Sequence, residues 1–168
     1  AIAYNKTLLD REDPYDLTPD QAARYDSLLR IADESIMGYI DIPKMNTTLP
    51  IYHGVSDEVL QMAVGHIPWT SLPTGGLGTH SVLSSHRGLQ SAKLFTDLDM
   101  LREGDIFMIR VLNELMTYEV DQILIVEPQE TEALQIVKGC DYCTLVTCTP
   151  YGINTHRLLV RGKRIETS

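Results

Sequence analysis

A thiol and a guanidinium stand close together in the stretch Thr144-Leu-Val-Thr-Cys148-Thr-Pro-Tyr-Gly-Ile-Asn-Thr-His-Arg157-Leu-Leu-Val-Arg-Gly162. Two runs rich in β-formers flank the turn-forming Thr149-Pro150-Tyr151-Gly152-Ile153-Asn154, which predicts a β-hairpin. Cys148 then ends the first strand and Arg157 opens the second. A cysteine so placed is a candidate nucleophile, and an arginine at the same sheet end is a candidate oxyanion stabiliser. The pair lacks a group that moves protons.

Five histidines could supply it. Side chains alternate along a strand, so Cys148 shares a face with Val146, Thr144 and Tyr142, and Arg157 with Thr155 and Leu159. If Arg157 lies on the Cys148 side, His156 points away and reads as a surface or packing residue. His53 precedes Gly54 in a turn, His66 follows Gly65, and His80 opens a strand; none has a distinguishing context. His86 ends an apolar strand directly before Arg87-Gly88, where a strand terminus projects a polar side chain over a groove. The plainer alternative for His86 is a satisfied structural histidine. Cys140-x-x-Cys143 has the spacing of half a zinc site, but no second half follows. A single strand from Cys143 to Cys148 cannot wrap a tetrahedral ion, so no metal is expected, and Cys140 and Cys143 read as small, partly buried hydrophobes.

The elements that must hold these residues are short and mostly extended. The first dozen residues read as polar and irregular, with a turn at Asp13-Pro14-Tyr15-Asp16. Thr18, Pro19 and Gln21 form a capping box opening a helix, and Ala22, Tyr25, Leu28, Leu29 and Ala32 carry its apolar face to about residue 32 or 34. Strands are expected over 36–42, 48–52 (towards an edge because of Pro50), 79–85, 105–111, 115–126 and the two arms of the hairpin. Ser56 caps a short helix, residues 68–78 form a loop, a short helix or helical turn is expected over 91–101, and a short helix near 130–137. Asn113-Glu114 is the expected turn between two strands. Seven or eight strands with interspersed short helices predict a β-barrel or sandwich. The organisation is an N-terminal helical segment, 1–34, before a β domain, 35–168.

At 168 residues the chain can bury a core without disulfides or metal, and its hydrophobic fraction of 43% is that of a globular protein. A net charge of −9 argues against a nucleic-acid surface, which needs clustered Lys and Arg. No run of 18 apolar residues is present, so no spanning segment is expected within these residues, and the Ala1-Ile2-Ala3-Tyr4 start suggests a mature or trimmed chain.

Three stretches together carry a resemblance: Ser84-Ser-His86-Arg-Gly-Leu89, Thr144-Leu-Val-Thr-Cys148-Thr-Pro-Tyr-Gly, and Asn154-Thr-His-Arg157-Leu-Leu-Val-Arg-Gly162. They are similar to the signatures of the sortases, cysteine transpeptidases of the Gram-positive cell surface. Gly65-His-Ile-Pro, Leu72-Pro-Thr-Gly-Gly76 and Lys93-Leu-Phe-Thr-Asp-Leu98 extend the likeness over about 36–164. The resemblance implies a closed β-barrel of about eight strands, in agreement with the strand count. It makes Cys148 the nucleophile, His86 the acid/base and Arg157 the transition-state arginine, with no cofactor. The class C, pilin-polymerising sortases are most similar, because Asp13-Pro14-Tyr15 resembles the Asp-Pro-aromatic lid of that class. There the Asp pairs with the catalytic Arg and the ring covers the catalytic Cys; Tyr15 adds a hydroxyl to the usual Phe or Trp.

The implied reaction is acyl transfer from a Leu-Pro-x-Thr-Gly sorting signal. Cleavage between Thr and Gly leaves a thioacyl enzyme that an amine resolves. In class C the donors are pilin subunits and the acceptor is a pilin lysine, at the extracellular face of the membrane and with membrane segments flanking the catalytic domain. The alternatives are a sortase that anchors surface proteins to the cell-wall precursor and, from another class, a non-catalytic β-barrel binding module.

Overall fold

The computed structural model describes residues 1–10, 15–30, 36–89, 92–149 and 153–166. Eight strands close into a barrel in the order β1-β2-β3-β4-β9-β10-β8-β7. These are β1 (Ile36–Ile42), β2 (Thr47–His53), β3 (Val64–His66), β4 (Thr79–Ser84), β7 (Ile106–Val111), β8 (Glu114–Val126), β9 (Asp141–Thr149) and β10 (His156–Ile165). The remaining two, β5 (Arg87–Leu89) and β6 (Ala92–Leu94), pair as a separate hairpin. Closure leaves no long unpaired edge. Two neighbouring pairs are parallel, β2 with β3 and β4 with β9; the other ladders of the barrel are antiparallel. A mostly β chain with a closed eight-stranded barrel and short helices is thus the observed architecture.

Alternation decides which side chains fill the barrel. Cys143 and Leu145 on β9, Leu83 on β4, and Leu158 and Val160 on β10 point inward to join Ile40, Ile42, Phe107, Ile109 and Tyr118. The Phe107 and Tyr118 rings stack at a centroid distance of 5.7 Å. Gly162 leaves them room, since a Cβ there would lie 2.7 Å from both the Phe107 ring and the Tyr118 Cβ. The outer face of β4, β9 and β10 is covered as well. Val82, Val146 and Leu159 form a second apolar cluster with Leu134, and Trp69, Ile67, Leu124 and Val126 pack against it.

The capping box is as the sequence implies. Thr18 Oγ1 accepts from the Gln21 amide at 3.2 Å, and Gln21 Oε1 accepts from the Thr18 amide at 3.0 Å. The helix it opens, α2 (Pro19–Ser27), is shorter than expected. Leu28 is extended and Leu29 takes a φ of 53°. Leaving the helix here lets both leucines rest on the core and gives the Leu28 carbonyl to His53 Nε2 at 2.6 Å. The first residues are helical rather than irregular: α1 (Ile2–Thr7) runs into a 3-10 turn, Leu8–Asp10. No capping side chain announces α1; tertiary contacts hold it. Tyr4 and Leu8 are buried one turn apart, and the Asn5 amide clasps the Leu72 backbone, donating at 3.0 Å and accepting at 2.7 Å.

Of the helix or helical turn expected over 91–101, the described residues 92–101 form only a turn. They contribute β6 and a 3-10 turn, Leu98–Met100, and the buried Phe95, Leu98 and Leu101, whose three-residue spacing mimics a helix, lie before, in and after that tight turn. The helix expected over 130–137 reduces to one 3-10 turn, Glu132–Leu134. The hairpin turn is Leu112-Asn113, because Val111 pairs with Glu114. β2 is longer than expected and has partners on both sides; Pro50 is tolerated because it faces Tyr39 of β1, while pairing with β3 begins only at Ile51. A short helix, α3 (Asp57–Met62), is capped by Ser56 as expected and feeds β3. The expected boundary between residues 34 and 35 falls outside the described residues. Among the described residues no helix is long and apolar enough to cross a membrane.

Candidate active site

The register fixes where the hairpin's functional groups stand. Arg157 lies directly opposite Cys148 in the β9–β10 ladder, and His156 lies opposite Thr149. Directly opposed residues share a face with Cβ atoms about 4.5–5.5 Å apart, so the thiol and guanidinium project together from the outer face. His156 projects from the other side, with its Nδ1 2.9 Å from the Thr155 hydroxyl. The Arg157 guanidinium donates to the carbonyls of His156 at 3.0 Å and Asn154 at 3.3 Å, which holds it over the strand end.

His86 reaches the same place from the opposite flank. The parallel β4–β9 ladder pairs His80 with Tyr142, Val82 with Thr144 and Ser84 with Val146. The Ser85 amide donates to the Val146 carbonyl at 3.2 Å, so the register continues past the strand end. Two further residues on each chain bring His86 level with Cys148 and, by parity, onto the same outer face. Adjacent strands are about 4.8 Å apart, so His86, Cys148 and Arg157 stand in a row across three neighbouring strand ends, with the cysteine central. His86 is held by its backbone: its amide donates to the Leu60 carbonyl of α3 at 3.3 Å, and its carbonyl accepts from the Phe95 amide at 3.2 Å.

The other histidines are structural. His66 is fully buried; its Nε2 donates to the Ser71 carbonyl at 2.6 Å, leaving Nδ1 to accept from the Tyr25 hydroxyl at 2.8 Å. His80 donates from Nδ1 to the Gln135 carbonyl at 2.9 Å and lies 2.6 Å from the Thr144 hydroxyl through Nε2. Burial, the largest influence at both, pulls each from 6.5 down to about 4. His53 closes the set by binding Leu28 and meeting Tyr25 edge to face. Cys143 lies inside the barrel, where burial pushes its thiol up, and no three of His, Cys, Asp and Glu converge as metal ligands among the described residues.

Of the three lid candidates, Asp13 and Pro14 lie outside the described residues. Tyr15 is half-buried on the outer face that carries Cys148. Its ring meets Trp69 edge to face at 5.1 Å, and its hydroxyl accepts from Gln135 Nε2. Trp69 packs on the cluster containing Val146, two residues before Cys148. Sequence reasoning did not single out Trp69 or Gln135 as a seat for that ring. The lone tryptophan beside Pro68 was the available signal, and Gln135 carried none.

A family model for the sortase domain matches residues 40–165. Among solved structures, sortase C1 from Streptococcus agalactiae is 53% identical with a TM-score of 0.95, over 99% of this chain and 86% of that one. A lid mutant of Streptococcus agalactiae sortase C1 is 43% identical with a TM-score of 0.90, over 99% of this chain and 86% of that one. Sortase D of Bacillus subtilis is 29% identical over 131 residues, 76% of this chain and 63% of that protein, so the chain spans less than two thirds of that relative. Barrel, motifs and likenesses agree: the chain belongs to the sortase family, within its class C branch.

Proposed function

We propose that this chain is a transpeptidase that polymerises pilins, with Cys148 as nucleophile, His86 as acid/base and Arg157 as oxyanion donor. What supports this reading is the register that sets Arg157 opposite Cys148 and, continued two residues past Ser84–Val146, puts His86 on the other flank of Cys148. The Cys148 Sγ attacks the carbonyl carbon of Thr in a Leu-Pro-x-Thr-Gly signal. The C–N bond to Gly breaks, His86 gives its proton to the leaving amine, and a thioester remains on Cys148. A lysine amine of a second pilin then attacks the thioester, its proton passes to His86, and the thiolate leaves. Both tetrahedral intermediates place a negative oxygen beside Arg157, and a preorganised donor of this kind contributes about 3–4 kcal/mol of transition-state stabilisation.

The pilin assignment draws on class C membership, on the likeness to sortases C1, and on Tyr15 seated beside the site. In this reading Asp13-Pro14-Tyr15 closes the resting site, Asp13 pairs with Arg157, and the enzyme works at the outer face of a Gram-positive membrane. The test incubates the protein with pilins bearing the signal and reads a denaturing gel. A covalent ladder lost in Cys148→Ala supports the reading. Transfer only to a small peptidoglycan-like amine indicates a wall-anchoring enzyme, and turnover retained by Cys148→Ala removes the nucleophile assignment.

A further inference from the structure

Where the β4–β9 ladder ends, two buried hydroxyls continue it. Thr147 is 1% exposed and Ser85 is 2% exposed, and both face the barrel interior, back to back with the outward Cys148 and His86. Thr147 Oγ1 donates to the Ser85 carbonyl at 2.8 Å. Ser85 Oγ donates in turn to the Ala63 carbonyl, ahead of β3, at 2.7 Å. Neither hydroxyl reaches the outer face where bonds are made and broken. Each immediately precedes a residue of the proposed catalytic row, and their two bonds tie the chain at β9 to the end of β4 and on to the start of β3.

We infer that Thr147 and Ser85 are positioning residues: a hydroxyl strut that sets the height of His86 relative to Cys148. The inference rests on the active-site reading above. The physical reason is that a parallel ladder fixes register only while it lasts. Beyond Ser84–Val146 the chain from β4 leaves for the β5–β6 hairpin, and Ser85 is buried. A donor there both satisfies the Ser85 carbonyl and ties the chain one residue before His86 to the chain one residue before Cys148. The backbone bonds from His86 to Leu60 and Phe95 hold the other side. With the strut in place His86 has one height; without it the Ser85 amide bond to Val146 is left to hold this end of β4 against β9.

The test uses Thr147→Val, which keeps shape and removes the donor, Thr147→Ser, which keeps the donor, and His86→Ala as reference. Each is assayed for transfer of a Leu-Pro-x-Thr-Gly peptide to an amine and for iodoacetamide alkylation of Cys148 from pH 5 to 9. Thr147→Val is expected to lose about tenfold in kcat with KM little changed, because a small misplacement of an acid/base costs chemistry before binding. Its alkylation profile should move towards that of His86→Ala, and Thr147→Ser should restore both. Wild-type kcat and profile in Thr147→Val overturn the inference. So does equal loss in Val and Ser, which would assign the effect to packing. Should Thr147→Val fail to fold, Ser85→Ala reads the second bond of the strut and must show the same displaced profile. If His86→Ala itself changes neither transfer nor alkylation, the active-site reading falls and the strut with it.

Discussion

Acid should unfold this barrel through two buried histidines outside the proposed site. His66 and His80 are buried and neutral, each committed through one nitrogen to a backbone carbonyl and each held at about 4 instead of 6.5. Burial outweighs the support that the Ser71 and Gln135 carbonyls give the charged forms. His66 faces Tyr25 and a second histidine, His53; His80 faces Arg161, with Asp121 a weaker opposing influence. Above 6.5 both residues are neutral in the folded and unfolded chains and contribute nothing to pH dependence. Between 6.5 and about 4 the unfolded chain binds protons that the folded one refuses, so stability falls with falling pH by about 1.4 kcal/mol per pH unit for each histidine. At pH 4.5 that amounts to about 2.5 kcal/mol each and about 5 kcal/mol together, a large share of the 5–15 kcal/mol that stabilises a typical domain.

Urea unfolding at pH 7.0 and 4.5 measures the loss, and NMR of labelled imidazoles assigns it. Both imidazoles should stay neutral down to about pH 4. The tautomers should differ, with the proton on Nε2 of His66 and on Nδ1 of His80. Titration of either residue near 6.5, or a stability unchanged between the two pH values, would refute the reasoning.

Three further outcomes follow from the site and its frame. Arg157→Lys should reduce kcat by at least a hundredfold in the transfer assay, since a point charge replaces a planar fork of donors, and near-wild-type kinetics would argue against oxyanion binding. Tyr15→Ala should speed alkylation of Cys148 by removing the ring seated on Trp69 and Gln135, with Gln135→Ala giving a smaller effect; equal rates would leave the segment as a plain turn. Gly162→Ala should cost about 1–3 kcal/mol in denaturant unfolding, because the new methyl would press on the Phe107 and Tyr118 rings, and a cost under 0.5 kcal/mol would mean that the barrel yields there.

Local features were legible in the sequence and packing-dependent ones were not. The capping box at Thr18 and the Ser56 cap are written in adjacent residues and stand as read. The end of α2 is not, because Leu28 leaves the helix for a carbonyl bond to His53, 25 positions away. Helix α1 carries no cap and depends on the Asn5 clasp around Leu72. Phe95, Leu98 and Leu101 have a helical spacing that a 3-10 turn uses equally well. In each case the signal present in the sequence was real, and a contact with a distant residue decided what it became.

The three residues of the proposed site divide along the same line. Cys148 and Arg157 belong to one hairpin, so turn residues and strand parity suffice to place them together and to set His156 aside. His86 and Cys148 are joined by a parallel pairing across 62 positions, and no periodicity reveals which distant strand lies beside β9. A parallel neighbour runs the same way, so β4 and β9 deliver their C-terminal ends to one rim. The antiparallel β10 begins at that rim because it follows β9 through a turn. Any chain that sets a parallel partner and a hairpin partner on either side of one strand brings two strand exits and one strand entry together. Cys148 and Arg157 stand at two of those points and the chain to His86 leaves from the third, so in the proposed mechanism strand direction positions the chemistry.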